Sequence, residues 1–110
     1  MILTDKSFKE EVKESKTPVL VEFWASWCPP CKVMEPLMKK LTQELDGEVK
    51  ICKLNVDQNK ISAGEYEVGG VPTFISFLGG EEVERKVGAL SEGMLREMID
   101  SVKEKRHKIL

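Results

Sequence analysis

Absences narrow the reading before any motif does. The 110-residue chain carries 17 basic and 19 acidic residues for a net charge of −2. It therefore has no field of one sign to draw it to nucleic acid or to a membrane surface, and neither is expected as a partner. No apolar run approaches the roughly 18–20 residues of a membrane span. Met1 to Phe8 has no basic stretch leading into an apolar one, so no secretory signal is expected. The cysteines number three. An odd count does not make a secreted disulfide framework and points to an intracellular, cytoplasmic chain. No repeat and no low-complexity linker divides the sequence. What is there is 41% hydrophobic and 33% charged, a globular composition at a length that buries a core without staples, and it is read as one domain, residues 1–110.

Thr4 to Ser7 offers N-cap chemistry for a first helix, with Phe8 and Val12 four apart on one face. Val19 to Trp24 is a near-continuous apolar run, the pattern of a strand covered on both faces, broken only by Glu22. A helix is predicted from about Cys31 to Leu45, with Val33, Met34, Leu37, Met38, Leu41 and Leu45 at helical spacing, Pro36 as a kink inside it and Gly47 at its stop. Val49 to Val56 reads as a second buried strand. Asp57 to Asn59 reads as a turn with capping character, and a short helix follows around Ile61 to Tyr66. Thr73 to Leu78 and Glu82 to Val87 form a hairpin through Gly79-Gly80. Ser91 then caps a last amphipathic helix carrying Met94, Leu95, Met98, Ile99 and Val102. The order β-α-β-α-β-α-β-β-α is that of an α/β sheet, parallel in its first half with an antiparallel edge.

The chemistry concentrates at Cys28-Pro29-Pro30-Cys31. Disulfide exchange needs a thiolate. A helix start supplies one, because unpaired backbone N–H groups and the positive dipole end stabilise negative charge just before the first turn. Cys28 is read as the exposed attacker there, and Cys31, one turn on, as the resolving thiol. Cys31 must lose its proton in the second step. Glu22, a carboxylate in an otherwise apolar strand, is the candidate acceptor.

Across nearly its whole length the chain resembles the thioredoxin family. The stretches that carry the likeness are Val21 to Cys31, Lys53 to Asp57, Gly70 to Thr73 and Val87 to Ala89. The resemblance implies the thioredoxin fold, a five-stranded mixed sheet of order 1-3-2-4-5 flanked by four helices. It implies a cis Val71-Pro72 peptide facing the disulfide, with the Val71 backbone offered to a substrate strand. It places Lys53 beside the buried acid Glu22, and Trp27, Gly70 and Gly88 on the docking surface. It implies a protein disulfide reductase with no bound cofactor, working as a monomer on protein disulfides and reduced by an NADPH-linked flavoprotein, thioredoxin reductase. Two positions depart from the family pattern. Pro29-Pro30 stands where Gly-Pro is usual, giving a stiffer loop with fewer N–H donors. Glu22 stands where aspartate is usual, one methylene longer.

Plainer readings stand beside these. A Cys-x-x-Cys pair can be half of a zinc site, but only Cys52 and His107 remain as further ligands. Glu22 can be a structural acid paired with Lys53. Cys52 and Trp24 read as core, and the basic tail as a solvated helix end. Two further functions share the motif: a disulfide oxidant or isomerase, suggested by Pro29-Pro30, and a non-catalytic binding module built on the rim of Trp27, Val71 and Pro72.

Overall fold

Strands without a polar face have to be covered on both sides, and the chain does this with one sheet and four helices. In the computed structural model, which describes residues 1–109, the strands are β1 (Ile2–Leu3), β2 (Val19–Trp24), β3 (Lys50–Asn55), β4 (Thr73–Leu78) and β5 (Glu81–Val87). Their order in the sheet is β1-β3-β2-β4-β5. β1 and β2 run parallel to β3, while β4 is antiparallel to both β2 and β5. The helices are a π-helix (Lys9–Lys13), α1 (Pro29–Glu44), α2 (Lys60–Glu65) and α3 (Glu92–Ile109). This is the fold expected from the sequence. Leu110, the last residue of the expected 1–110 unit, lies outside the described residues.

Two apolar layers result, one on each face of the sheet. Leu20, Ile51 and Phe74 meet Met34, Met38 and Leu41 of α1 and Leu95, Met98 and Ile99 of α3. On the other face Val21, Phe23, Cys52, Leu54, Ile75 and Phe77 pack with Phe8 and Val12. Phe23, Phe74 and Phe77 are fully buried, each worth about 1.5–3 kcal/mol of apolar transfer.

Local chemistry sets several boundaries. Thr4 and Ser7 bond reciprocally in the turn that leads into the first helix: Ser7 N–H donates to Thr4 Oγ1 at 3.2 Å and Thr4 N–H to Ser7 Oγ at 3.0 Å. The helix itself is π rather than the expected α. Glu14 N–H reaches Lys9 O at 2.9 Å, a bond of one residue more per turn. α1 starts two residues earlier than expected, because Pro29 and Pro30 suit N1 and N2, where an N–H has no intrahelical partner. α2 is capped from a distance. Its N-cap residue Asn59 makes no side-chain cap bond, while the Asp5 carboxylate accepts Ser62 N–H at 2.8 Å and Ile61 N–H at 3.3 Å. Val33 and Met94, expected on buried helix faces, are exposed. Each lies at the margin of its helix's apolar stripe, next in sequence to a buried residue, Met34 and Leu95. At the hairpin tip both Gly79 (φ +61°) and Gly80 (φ +83°) are left-handed, as a two-residue type I′ turn requires.

Candidate active site

Cys28 is the N-cap of α1 in extended geometry (φ −98°, ψ 106°), with three residues between it and the C-terminal end of β2. Cys31 sits at the third helical position. The two are joined as a disulfide with their Cα atoms 5.3 Å apart. Pro29 and Pro30 carry no N–H, so Cys31 N–H is the first free amide of the helix, and it points at Cys28 Sγ from 3.2 Å.

The pair is less open than the sequence suggested. Cys28 and Cys31 are each 2% exposed, so Cys28 is not an exposed thiol in the disulfide state. Ala25 lies against them, with Trp24, Val56 and Val71 packed around. The rim, by contrast, is open: Trp27 is 66% exposed, its indole Nε1–H donating to Asp57 Oδ2 at 2.8 Å.

The glycine–proline corner closes over the pair from the start of β4. The Val71-Pro72 peptide is cis, and the Val71 carbonyl oxygen lies 3.6 Å from Cys28 Sγ. Gly88 N–H donates to Pro72 O at 2.8 Å. Gly70 lies against Val87, where an added Cβ would stand 3.4 Å from Val87 Cγ1. Cys28, Cys31, Gly70, Val71, Pro72 and Gly88 thus form one continuous neighbourhood.

Glu22 lies in the middle of β2. Alternation along β2 puts it on the α1 face with Leu20 and Trp24, since Val21 and Phe23 belong to the opposite layer. It is completely buried, and neither carboxylate oxygen has a hydrogen-bond partner among the described residues. Desolvation therefore raises its pKa to about 7 from an ordinary 4.5, with Lys53 drawing it down and Glu35 pushing it up. Lys53 is the cross-strand partner of Glu22 in β3. Among the described residues, however, its ion pair is with Glu35, Nζ to Oε1 3.9 Å, and its ammonium stands 4.3 Å from the centre of the Trp24 ring. The direct Glu22–Lys53 pair weighed from the sequence is not formed. The ammonium is taken up instead by an aromatic face and a surface carboxylate.

Two residues of this neighbourhood escaped the sequence reading. Glu35 follows Cys31 by four residues, a spacing that puts both on one side of a helix. Asp57 lay inside a stretch already singled out, but its tie to Trp27 spans 30 positions. Cys52 belongs to the other face of the sheet, where burial pushes its thiol up to about 11. Among the described residues no cluster of three His, Cys, Asp or Glu side chains could hold a metal ion. None of the described helices is long and apolar enough to cross a membrane.

The family model described as Thioredoxin matches residues 1–101. The chain is 43% identical over 98 residues to a thioredoxin of Rickettsia felis, covering 89% of this chain and 93% of that one. It is 41% identical over 98 residues to a thioredoxin of Synechocystis sp. (89% and 92% covered). To a thioredoxin of Pseudomonas aeruginosa it is 40% identical over 99 residues (90% and 92% covered).

Proposed function

The chain belongs to the thioredoxin family, and we propose on that premise that Cys28 is the nucleophile and Cys31 the resolving thiol of its reaction. That reaction is thiol–disulfide exchange, and the chain is a protein-disulfide reductase. Protein disulfides are its substrates, and a thioredoxin reductase is its general partner.

The Cys28 thiolate attacks one sulfur of a substrate disulfide, and the other substrate sulfur leaves as a thiolate that takes up a proton. A mixed disulfide forms. Cys31 gives its proton to Glu22 and attacks Cys28 Sγ, releasing the second substrate thiolate. The substrate gains two electrons, and the protein ends as the Cys28–Cys31 disulfide. A carboxyl with pKa raised to about 7 suits the acceptor role, because it takes and returns a proton near neutral pH. Lys53 tunes it. No cofactor enters, since the electrons are carried in the sulfur–sulfur bond. Trp27, Gly70, Val71, Pro72 and Gly88 receive the substrate strand, with the Val71 backbone pairing to it.

The observation that carries this reading is the disulfide at the head of α1 with the Val71 carbonyl 3.6 Å from Cys28 Sγ. Pro29-Pro30, which in the sequence suggested an oxidant, argues for the reductant once it is placed at the head of α1. A disulfide is a strong oxidant when its reduced form is well stabilised. Here two of the first three helical positions have no N–H to offer a thiolate. We read the reductase partner as an NADPH-linked flavoprotein. We read the working form as a cytoplasmic monomer of one domain, residues 1–110, with neither nucleic acid nor membrane as partner.

Insulin reduction in the presence of dithiothreitol tests the assignment. Wild type is expected to precipitate the insulin B chain, Cys28→Ser to be inactive, and Cys31→Ser to accumulate a mixed disulfide through Cys28. Activity surviving in Cys28→Ser sinks the assignment. A biological effect retained by the Cys28→Ser/Cys31→Ser double variant would favour the binding module instead.

A further inference from the structure

Glu22 and Lys53 are register partners on the adjacent parallel strands β2 and β3, which lie about 4.8 Å apart. Lysine has a four-carbon stem and three rotatable donors. A bare, buried carboxylate beside it should capture the ammonium. It does not: the carboxylate has no partner, and the ammonium goes to Glu35 at 3.9 Å and to the Trp24 ring at 4.3 Å.

The other surroundings of Glu22 leave the acid to these two charges. β4 places Phe74 beside it. α3 presents Leu95, Met98 and Ile99 to this face. On β2 its same-face neighbours are Leu20 and Trp24. Charge reaches Glu22 from β3 through Lys53 and from α1 through Glu35.

We propose that Glu35 is a positioning residue for the exchange reaction: it holds the Lys53 ammonium over Trp24 and off the Glu22 carboxyl, and so sets how tightly Glu22 holds its proton. The inference rests on Glu22 being the acceptor for the Cys31 proton. As a stabilising contact the Glu35–Lys53 pair is weak, since the Glu35 side chain is 55% exposed. Its effect is read in a dry place, where a charge moved by a few ångströms is poorly screened. Glu35 also acts in the same sense directly, because a second negative charge disfavours ionised Glu22.

The test is a carbon-13 NMR titration of the Glu22 carboxyl in the oxidised full chain, for wild type, Glu35→Gln, Lys53→Met and the double variant. Glu35→Gln frees Lys53 to swing to Glu22 and is expected to lower the titration midpoint by about half a pH unit, since the shift routed through Lys53 cannot exceed the hold of an exposed carboxylate on it. Lys53→Met is expected to raise it. In the Lys53→Met background Glu35→Gln should lose most of its effect, because the cation it positions is gone. An unchanged midpoint in Glu35→Gln overturns the inference. So does an equal shift with and without Lys53, which would leave Glu35 acting on Glu22 by its own charge alone. The pH profile of insulin reduction is the second arm. A profile that moves with the midpoint supports both the inference and the acceptor role. A midpoint that moves while the profile stays removes Glu22 as acceptor and leaves the hold of Glu35 over it standing.

Discussion

Replacing Glu22 with leucine should stabilise the oxidised protein by more at alkaline pH than at acid pH. The buried carboxyl has no hydrogen-bond partner, and its pKa in the fold is about 7 against an ordinary 4.5. The fold therefore binds a proton that the unfolded chain releases. Below pH 4.5 the acid is neutral in both states and carries no ionisation penalty. Between 4.5 and about 7 the unfolded chain ionises while the folded one does not, so stability falls as pH rises. Above about 7 both are ionised and the loss is complete. At about 1.4 kcal/mol per tenfold change in acid dissociation, the full loss is about 3 kcal/mol. That is a large share of the roughly 5–15 kcal/mol that holds a domain together. Urea unfolding of oxidised wild type and Glu22→Leu at pH 4 and pH 8 measures it. The stability difference between them should grow in the variant's favour by about 3 kcal/mol from pH 4 to pH 8. Other titrating groups cancel in the difference. Parallel stabilities at the two pH values would refute the account, because they would mean that Glu22 ionises in the fold as readily as in water.

The remaining predictions concern single groups. Cys52 is completely buried with its thiol pushed up to about 11, so iodoacetamide at pH 8 should modify it in the native protein only at the rate of global unfolding, against prompt reaction in denaturant. Gly80→Ala puts a Cβ 2.5 Å from the Lys13 carbonyl oxygen at φ +83° and should destabilise by more than about 1 kcal/mol in urea unfolding. Asp5→Ala removes the acceptor of the Ser62 and Ile61 N–H groups and should cost about 1 kcal/mol. Burial opposes ionisation of Asp5, but the bonds from Ser62 and Ile61 outweigh it and lower its pKa. Its contribution is therefore present above the ordinary carboxyl range and lost in acid, opposite in sign to Glu22.

What was legible in the sequence is what local pattern encodes. Val19 to Trp24 reads as a covered strand because nothing in it but Glu22 tolerates water. The Cys28–Cys31 spacing reads as a dithiol because one helical turn separates its ends. The helix faces were legible in outline, failing where Val33 and Met94 adjoin true core residues. What was not legible depends on partners far away in the chain. Asp5 caps a helix 56 residues on. The cover over Cys28 includes Val71 and Val56. Glu35 looks in sequence like any charge on a wet helix face, and only the tertiary position of Lys53 gives it something to act on.

The register of β3 has a consequence for the three thiols. Cys52 and Lys53 are neighbours in the chain, yet one lies in the layer with Phe8 and Phe77 and the other reaches Trp24 on the opposite side. A slip of one residue would exchange them, sending a third sulfur towards the redox pair and a charge into the apolar layer. The fold rejects that slip because buried lysine is expensive. Strand register thus serves as separation: the sheet stands between Cys52 and the pair, and the third sulfur is held on the face away from the exchange chemistry.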